Sequence, residues 1–180
     1  MEFKEYSFDP EIRLCVYNVG RENLEFHRHS HIADITYCAS GRLRLELPEL
    51  NKSYIFYPGQ TIQVPCNTIH RVSHCDADAD YSRYILIQIG RFSIDFVKDA
   101  VCTNGEQAID LRGKNWDFFI DESLNRLRNI TAKFLADRPH DLTHSEYTDM
   151  QKALNTVCSK GVKHRPTTGA ILRQLAALES

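Results

Sequence analysis

"HRHSHIADITYCASG", residues 27–41, sets three histidines at alternate positions, His27, His29 and His31, at the mouth of an apolar, strand-like run that carries one carboxylate, Asp34. Outward from it, residues 10 to 90 read as short β runs separated by turns: "IRLCVYNV", "ADITYCAS", "RLRLEL", "SYIFY", "TIQVP", "HRVSHC" and "YSRYILIQIG". Leu43, Leu45 and Leu47 alternate with Arg42, Arg44 and Glu46, as a half-buried strand requires. Turns are expected at Gly20, Gly41, Asn51 and Pro58-Gly59, at the irregular spacing of a sandwich or barrel.

After Gly90 the apolar period lengthens from two to three or four. Phe96, Val97, Ala100 and Val101 predict a short helix before Asn104-Gly105. Trp116, Phe119, Ile120, Leu124, Leu127, Ile130 and Phe134 predict a long one ending before Pro139. Thr143 and Glu146 have the spacing of a capping box, which opens a third helix through Tyr147, Met150, Leu154 and Val157 to Gly161. Pro166 precedes a fourth, with Ile171, Leu172, Leu175 and Leu178 on one side. It reaches residue 180 without a stop signal, as a chain ending inside a linker helix would. The expected organisation is therefore a β-barrel over 1–90 and an amphipathic helical layer over 91–180.

With 180 residues the chain suits one domain with an appended layer. A net charge of −2 gives no electrostatic footprint for nucleic acid. The charged start "MEFKEYSFDPEIR" lacks the apolar core of a signal peptide, and no apolar run approaches membrane-spanning length, so a soluble, cytoplasmic protein without a membrane partner is expected. The six cysteines (15, 38, 66, 75, 102 and 158) form no CxxC pair and read as buried thiols. Asp76, Asp78 and Asp80 lack the glycine and distal glutamate of a calcium loop and read as a solvated hairpin tip. No P-loop, dinucleotide fingerprint or serine-nucleophile motif is found.

A second stretch, "GQTIQVPCNTIHRVSH" (59–74), starts 18 residues after Gly41. His27-x-His29, Asp34 and Gly41 resemble the first cupin motif, with Asp in place of the usual Glu. Gly59, Pro65, Asn67 and His70 resemble the second, with Asn67 in place of Gly. The resemblance covers roughly residues 10–90 and implies a double-stranded β-helix, or jelly-roll, barrel in which His27, His29, Asp34 and His70 converge on a divalent metal. Three imidazoles and a carboxylate suit Zn, Fe, Ni or Mn and leave coordination positions open. His31 and His74 are read as surface or supporting residues.

Barrel, "DYSRYILIQIGRFSIDFV" and helices together look like the N-terminal effector-binding and dimerisation domain of AraC-type transcriptional regulators. That resemblance implies a sugar-like or other small polar effector in the barrel, a homodimer through the helices, and DNA contact only through helix-turn-helix units that this chain does not contain. The dimer expectation rests on the long apolar stripe, of which the barrel wall could absorb only part. Strand parity adds pocket residues: Asp34 brings Thr36 and Cys38, His70 brings Val72, and the matching family strand brings Ser82 and Tyr84. The expected function is effector sensing rather than catalysis. The alternative is a stand-alone metal-dependent cupin enzyme, a dioxygenase or isomerase, using His27, His29, Asp34 and His70; a filled barrel serving only as an interaction domain is the third.

Overall fold

The computed structural model describes residues 1–22, 24–103, 107–115 and 118–179. Its strands are β1 (Glu2–Asp9), β2 (Ile12–Val19), β3 (Phe26–Arg28), β4 (Ile32–Ser40), β5 (Leu43–Leu47), β6 (Lys52–Phe56), β7 (Thr61–Val64), β8 (Arg71–His74), β9 (Ser82–Gly90), β10 (Asp95–Val97), β11 (Ile109–Asp110), β12 (Phe118–Ile120) and β13 (Gly161–Lys163). The helices are α1 (Ser123–Ala136), α2 (His144–Lys160) and α3 (Thr168–Leu178). The architecture is mainly β with C-terminal helices: a jelly-roll barrel made by one sheet in the order β1-β2-β9-β4-β7 and another in the order β11-β6-β5-β8. The β10-β3 ribbon joins them at one end through a bridge between His27 and His70.

Two cores lie on opposite faces of the five-stranded sheet. One face, with Leu14, Val16, Ile35, Tyr37, Ile85 and Ile87, packs under α1 and α2. The other turns into the barrel, where Cys38, Leu43, Leu45, Phe56, Ile62 and Tyr84 meet, and α3 closes this second core with Ile171, Leu175 and Leu178. The helical stripe is consumed within the chain: Leu124, Leu127, Ile130 and Phe134 of α1 and Met150, Leu154 and Val157 of α2 are all buried.

Turn chemistry fixes the register. Gly41, with φ +74°, ends β4 so close to β9 that an added Cβ would lie 2.3 Å from Ser82 Oγ. Asn67 has φ +59°, a left-handed backbone that glycine adopts freely and asparagine tolerates. The departure from the second motif thus keeps its conformation, and the Asn67 N–H donates to the His29 carbonyl at 2.7 Å.

The first helix expectation fails. Phe96 and Val97 lie in β10, antiparallel to β3, with Phe96 opposite His27. Four apolar residues are too few to fix a period, and pairing with β3 satisfies the backbone instead. β11 then joins β6 in parallel as the edge of the second sheet, so the chain returns to the barrel after residue 90 before the helices begin. Asn104-Gly105 and Trp116 lie outside the described residues. Phe119 and Ile120, expected in the long helix, form β12 beside β13. α1 starts only at Ser123, whose N–H donates to Asp121 Oδ1 at 2.9 Å. The capping box of α2 forms as expected: Glu146 N–H donates to Thr143 Oγ1 and Thr143 N–H to Glu146 Oε1. α2 stops at Gly161 in an extended conformation, as the chain enters β13. No disulfide joins the cysteines, and no described helix is long and apolar enough to cross a membrane.

Candidate metal centre and its cavity

The two sequence motifs meet through backbone bonds. His27 N–H donates to the His70 carbonyl at 3.1 Å and His70 N–H returns the bond to His27 at 2.9 Å. His29 follows at the end of β3, and Asp34 points in from β4. One donor atom from each of His27, His29, Asp34 and His70 lies within 4.8 Å of every other.

The outer nitrogen of each ring is anchored. Nδ1 lies 2.6 Å from the Ser93 carbonyl in His29, 2.7 Å from that of Thr68 in His70 and 3.3 Å from that of Glu25 in His27. A carbonyl only accepts, so each Nδ1 carries a proton and each Nε2 faces the centre. That is the arrangement by which proteins orient imidazole ligands. Asp34 Oδ2 sits 3.0 Å from His70 Nε2 and 3.3 Å from His29 Nε2. With Nδ1 protonated, those contacts require either an imidazolium or a cation shared by all the groups. Asp34 Oδ1 is buried with no partner at all.

The electrostatics are those of a carboxylate among imidazoles. Burial pushes the Asp34 carboxyl up, but its bonds to His29 and His70 and their charge together hold it far below the usual carboxylate range. Burial pulls His29 down, yet Asp34 and the Ser93 carbonyl bring it above its ordinary value. Burial, then the charge of His70, pulls His27 down to about 4, so its ring is neutral at pH 7. An orphaned buried oxygen, three aimed nitrogens and a permanent negative charge fit a divalent ion, and these four residues would hold it.

The cluster opens into a cavity of about 390 Å³, within the range of small-molecule sites. Of the residues expected there, His27, His29, Asp34, Thr36, His70, Val72 and Tyr84 line it. Cys38 and Ser82 do not. Cys38 faces the barrel interior but is packed into its apolar core. Ser82 Oγ is taken by the turn, accepting from Arg42 N–H and donating to the Arg42 carbonyl, with His74 Nδ1 at 2.7 Å. His31 is exposed and outside the cluster.

Sequence reasoning missed Arg13, Tyr17, Gln88 and the mouth residues Phe92, Ile94 and Phe96. Gln88 was within reach, since it shares parity with Tyr84 on β9. Its Oε1 accepts from Arg13 Nη1 at 3.0 Å and its amide nitrogen lies 3.4 Å from His29 Nε2. Tyr17 is Tyr84's partner across β2 and β9, and the two rings stack at 4.9 Å.

No family model matches the chain, and no curated protein matches it either. Several solved structures are similar to part of it. A double-stranded β-helix protein from Klebsiella pneumoniae has a TM-score of 0.46 at 9% identity, over 53% of this chain and 82% of that one. KdgF from Halomonas sp. has 0.43 at 17% identity, over 51% and 78%. The polyketide cyclase RemF from Streptomyces resistomycificus has 0.44 at 18% identity, over 53% and 66%.

Proposed function

We propose that the barrel is a metal-dependent small-molecule site in which His27, His29, Asp34 and His70 hold a divalent ion and the cavity beside them holds the ligand. The observation that carries this reading is the unpartnered Asp34 Oδ1 among three imidazoles whose Nδ1 atoms are already committed to carbonyls. When bound, such an ion supplies Lewis-acid or oxygen-activating chemistry. The chain's own part is to fix the three rings and keep Asp34 ionised.

In this reading the site serves as the sensing module of an AraC-type regulator. β2, β4 and β9 are shared walls: Tyr84, Leu86 and Gln88 face the cavity, while Ile85, Ile87 and Ile89 carry the helical layer. A ligand that favours one packing of α1 and α2 over another would shift their arrangement, provided its affinity differs between the two. DNA would be met through a region outside this chain. A second reading, a metal-dependent cupin enzyme of the dioxygenase or isomerase kind, is favoured by a donor set whose four atoms lie within 4.8 Å of one another.

Elemental analysis and thermal shift test the proposal together. One equivalent of Zn, Fe, Mn or Ni per chain and a small-molecule stabilisation that disappears with chelator are expected. Iron, manganese or nickel accompanied by turnover supports the enzyme, and ligand-dependent protection of α1 and α2 amides supports the sensor. A barrel that takes up no metal contradicts both.

A further inference from the structure

The cavity's walls differ from its floor. Beyond the metal-ligating cluster they present Tyr17, Tyr84, Leu86, Phe92, Ile94 and Phe96. The Phe96 ring lies 6.4 Å from that of His27, and the Phe92 ring 6.1 Å from that of His29. Phe92, Ile94 and Phe96 remain 45%, 37% and 58% exposed, an apolar patch at the mouth, with the Arg13 guanidinium over one face of the Phe92 ring at 3.8 Å.

The wall's positive charges are already spent. Arg13 grips Glu5 through Nε and Nη2 and gives Nη1 to Gln88. Arg71 grips Glu46 through Nε and Nη2 and gives Nη1 to the Leu24 carbonyl. The Met1 ammonium, also on the wall, pairs with Glu22 at 2.7 Å. Three neutral imidazoles and one carboxylate around a divalent ion leave one unit of positive charge, so a ligand's single negative charge is compensated at the ion and a second finds no partner. For a sugar's hydroxyls the wall offers Thr36, Glu25 and Gln88, whose Oε1 already accepts from Arg13, beside a larger apolar and aromatic surface.

We infer that the ligand of this site is a flat aromatic molecule that carries a singly charged pair of chelating oxygens, its ring seated against Phe92 and Phe96 and its oxygens on the ion. The inference rests on the metal reading above and narrows the polar, sugar-like effector expected from sequence to an apolar body with one chelating end. Ring contacts with the two phenylalanines are expected to raise affinity about tenfold or more.

The test uses Co²⁺, whose visible spectrum reports both loading and ligand binding. The protein is first titrated with Co²⁺ alone, then the loaded protein with tropolone, acetylacetone, malonate and gluconate. Each affinity is divided by that chelator's affinity for aqueous Co²⁺ at the same pH. Tropolone is expected to exceed acetylacetone by about tenfold, with malonate and gluconate weaker still. The exposed double substitution Phe92→Ala/Phe96→Ala is expected to abolish that preference while still binding one Co²⁺. A normalised preference for acetylacetone, malonate or gluconate overturns the inference and leaves the metal site standing, as does a tropolone preference unchanged in the double variant. Absence of Co²⁺ binding in the first titration overturns the metal reading itself, and this inference with it.

Discussion

The two faces of the β1-β2-β9-β4-β7 sheet are made from alternate residues of the same strands, yet they are built for different ends. Under α1 and α2, Leu14, Val16, Ile35, Ile85 and Ile87 form a dry apolar layer. On the other face Arg13, Asp34, Thr36 and Gln88 surround a cavity, with a carboxylate oxygen left unpartnered. A buried charge without full compensation costs stability, so the helical face must stabilise a fold that its cavity face strains. The period-2 alternation of a strand lets each face change without disturbing the other.

The largest effect expected on the helical face is that of Phe134→Ala. Phe134 is fully buried, with the rings of Tyr6, Phe8 and Tyr147 around it at 6.1, 5.9 and 5.8 Å. Its truncation is expected to cost about 4 kcal/mol in denaturant melts and leave metal uptake intact. Equal damage to metal binding would show that the faces are not separable. The mirror image is His27→Ala, a half-buried ring whose Nδ1 is held by the Glu25 carbonyl, whereas Asp34 is bonded to His29 and His70. Metal affinity measured by competition with a chelator is expected to fall about 100-fold or more, a loss of roughly 3 kcal/mol in binding, with the metal-free melting temperature nearly unchanged.

Glu146 sharpens the comparison at low pH. Burial pushes its carboxyl up, but the Lys4 ammonium at 2.9 Å and the Thr143 bonds hold it below its ordinary value. A folded pKa below the unfolded one stabilises fully above the unfolded value and loses that contribution as pH falls through the folded one. Glu146→Gln is therefore expected to cost about 2 kcal/mol at neutral pH and to flatten the acid limb of stability measured by urea melts between pH 7 and 3. A variant whose acid limb is as steep as the parent's would remove Glu146 from the account. The smallest effect falls at the turn that joins the two motifs. Asn67→Ala is expected to cost about 1 kcal/mol and Asn67→Gly about 0.5 or less, because only the former strains a positive φ.

This same division explains what the sequence could show. β5 alternates cleanly, and β2, β4 and β9 stand out as apolar runs between turns, so the barrel was legible. The cluster of His27, His29, Asp34 and His70 was legible too, because its members lie inside two spaced motifs. The cavity wall was not. β9 is apolar on both faces because helices cover its back, so its parity says little about which residues reach the cavity, and Arg13 and Tyr17 sit on a strand outside either motif. β10 to β13 have only two or three residues each, and pairing with β3, with β6 or with one another decides them rather than local pattern. Helix lengths failed in the same way: Phe119 and Ile120 continue the apolar stripe of α1 in sequence but belong to β12.

The central claim is that two of the three opening histidines, His27 and His29, and not His31, act with Asp34 and His70 as one metal centre. Co²⁺ titration followed by visible absorption, on the parent protein beside His31→Ala, His27→Ala and His70→Ala, tests it most directly. The account predicts one tightly bound ion in the parent and in His31→Ala, and its loss in the other two. Binding that is the same in all four proteins, or absent from the parent, would contradict it.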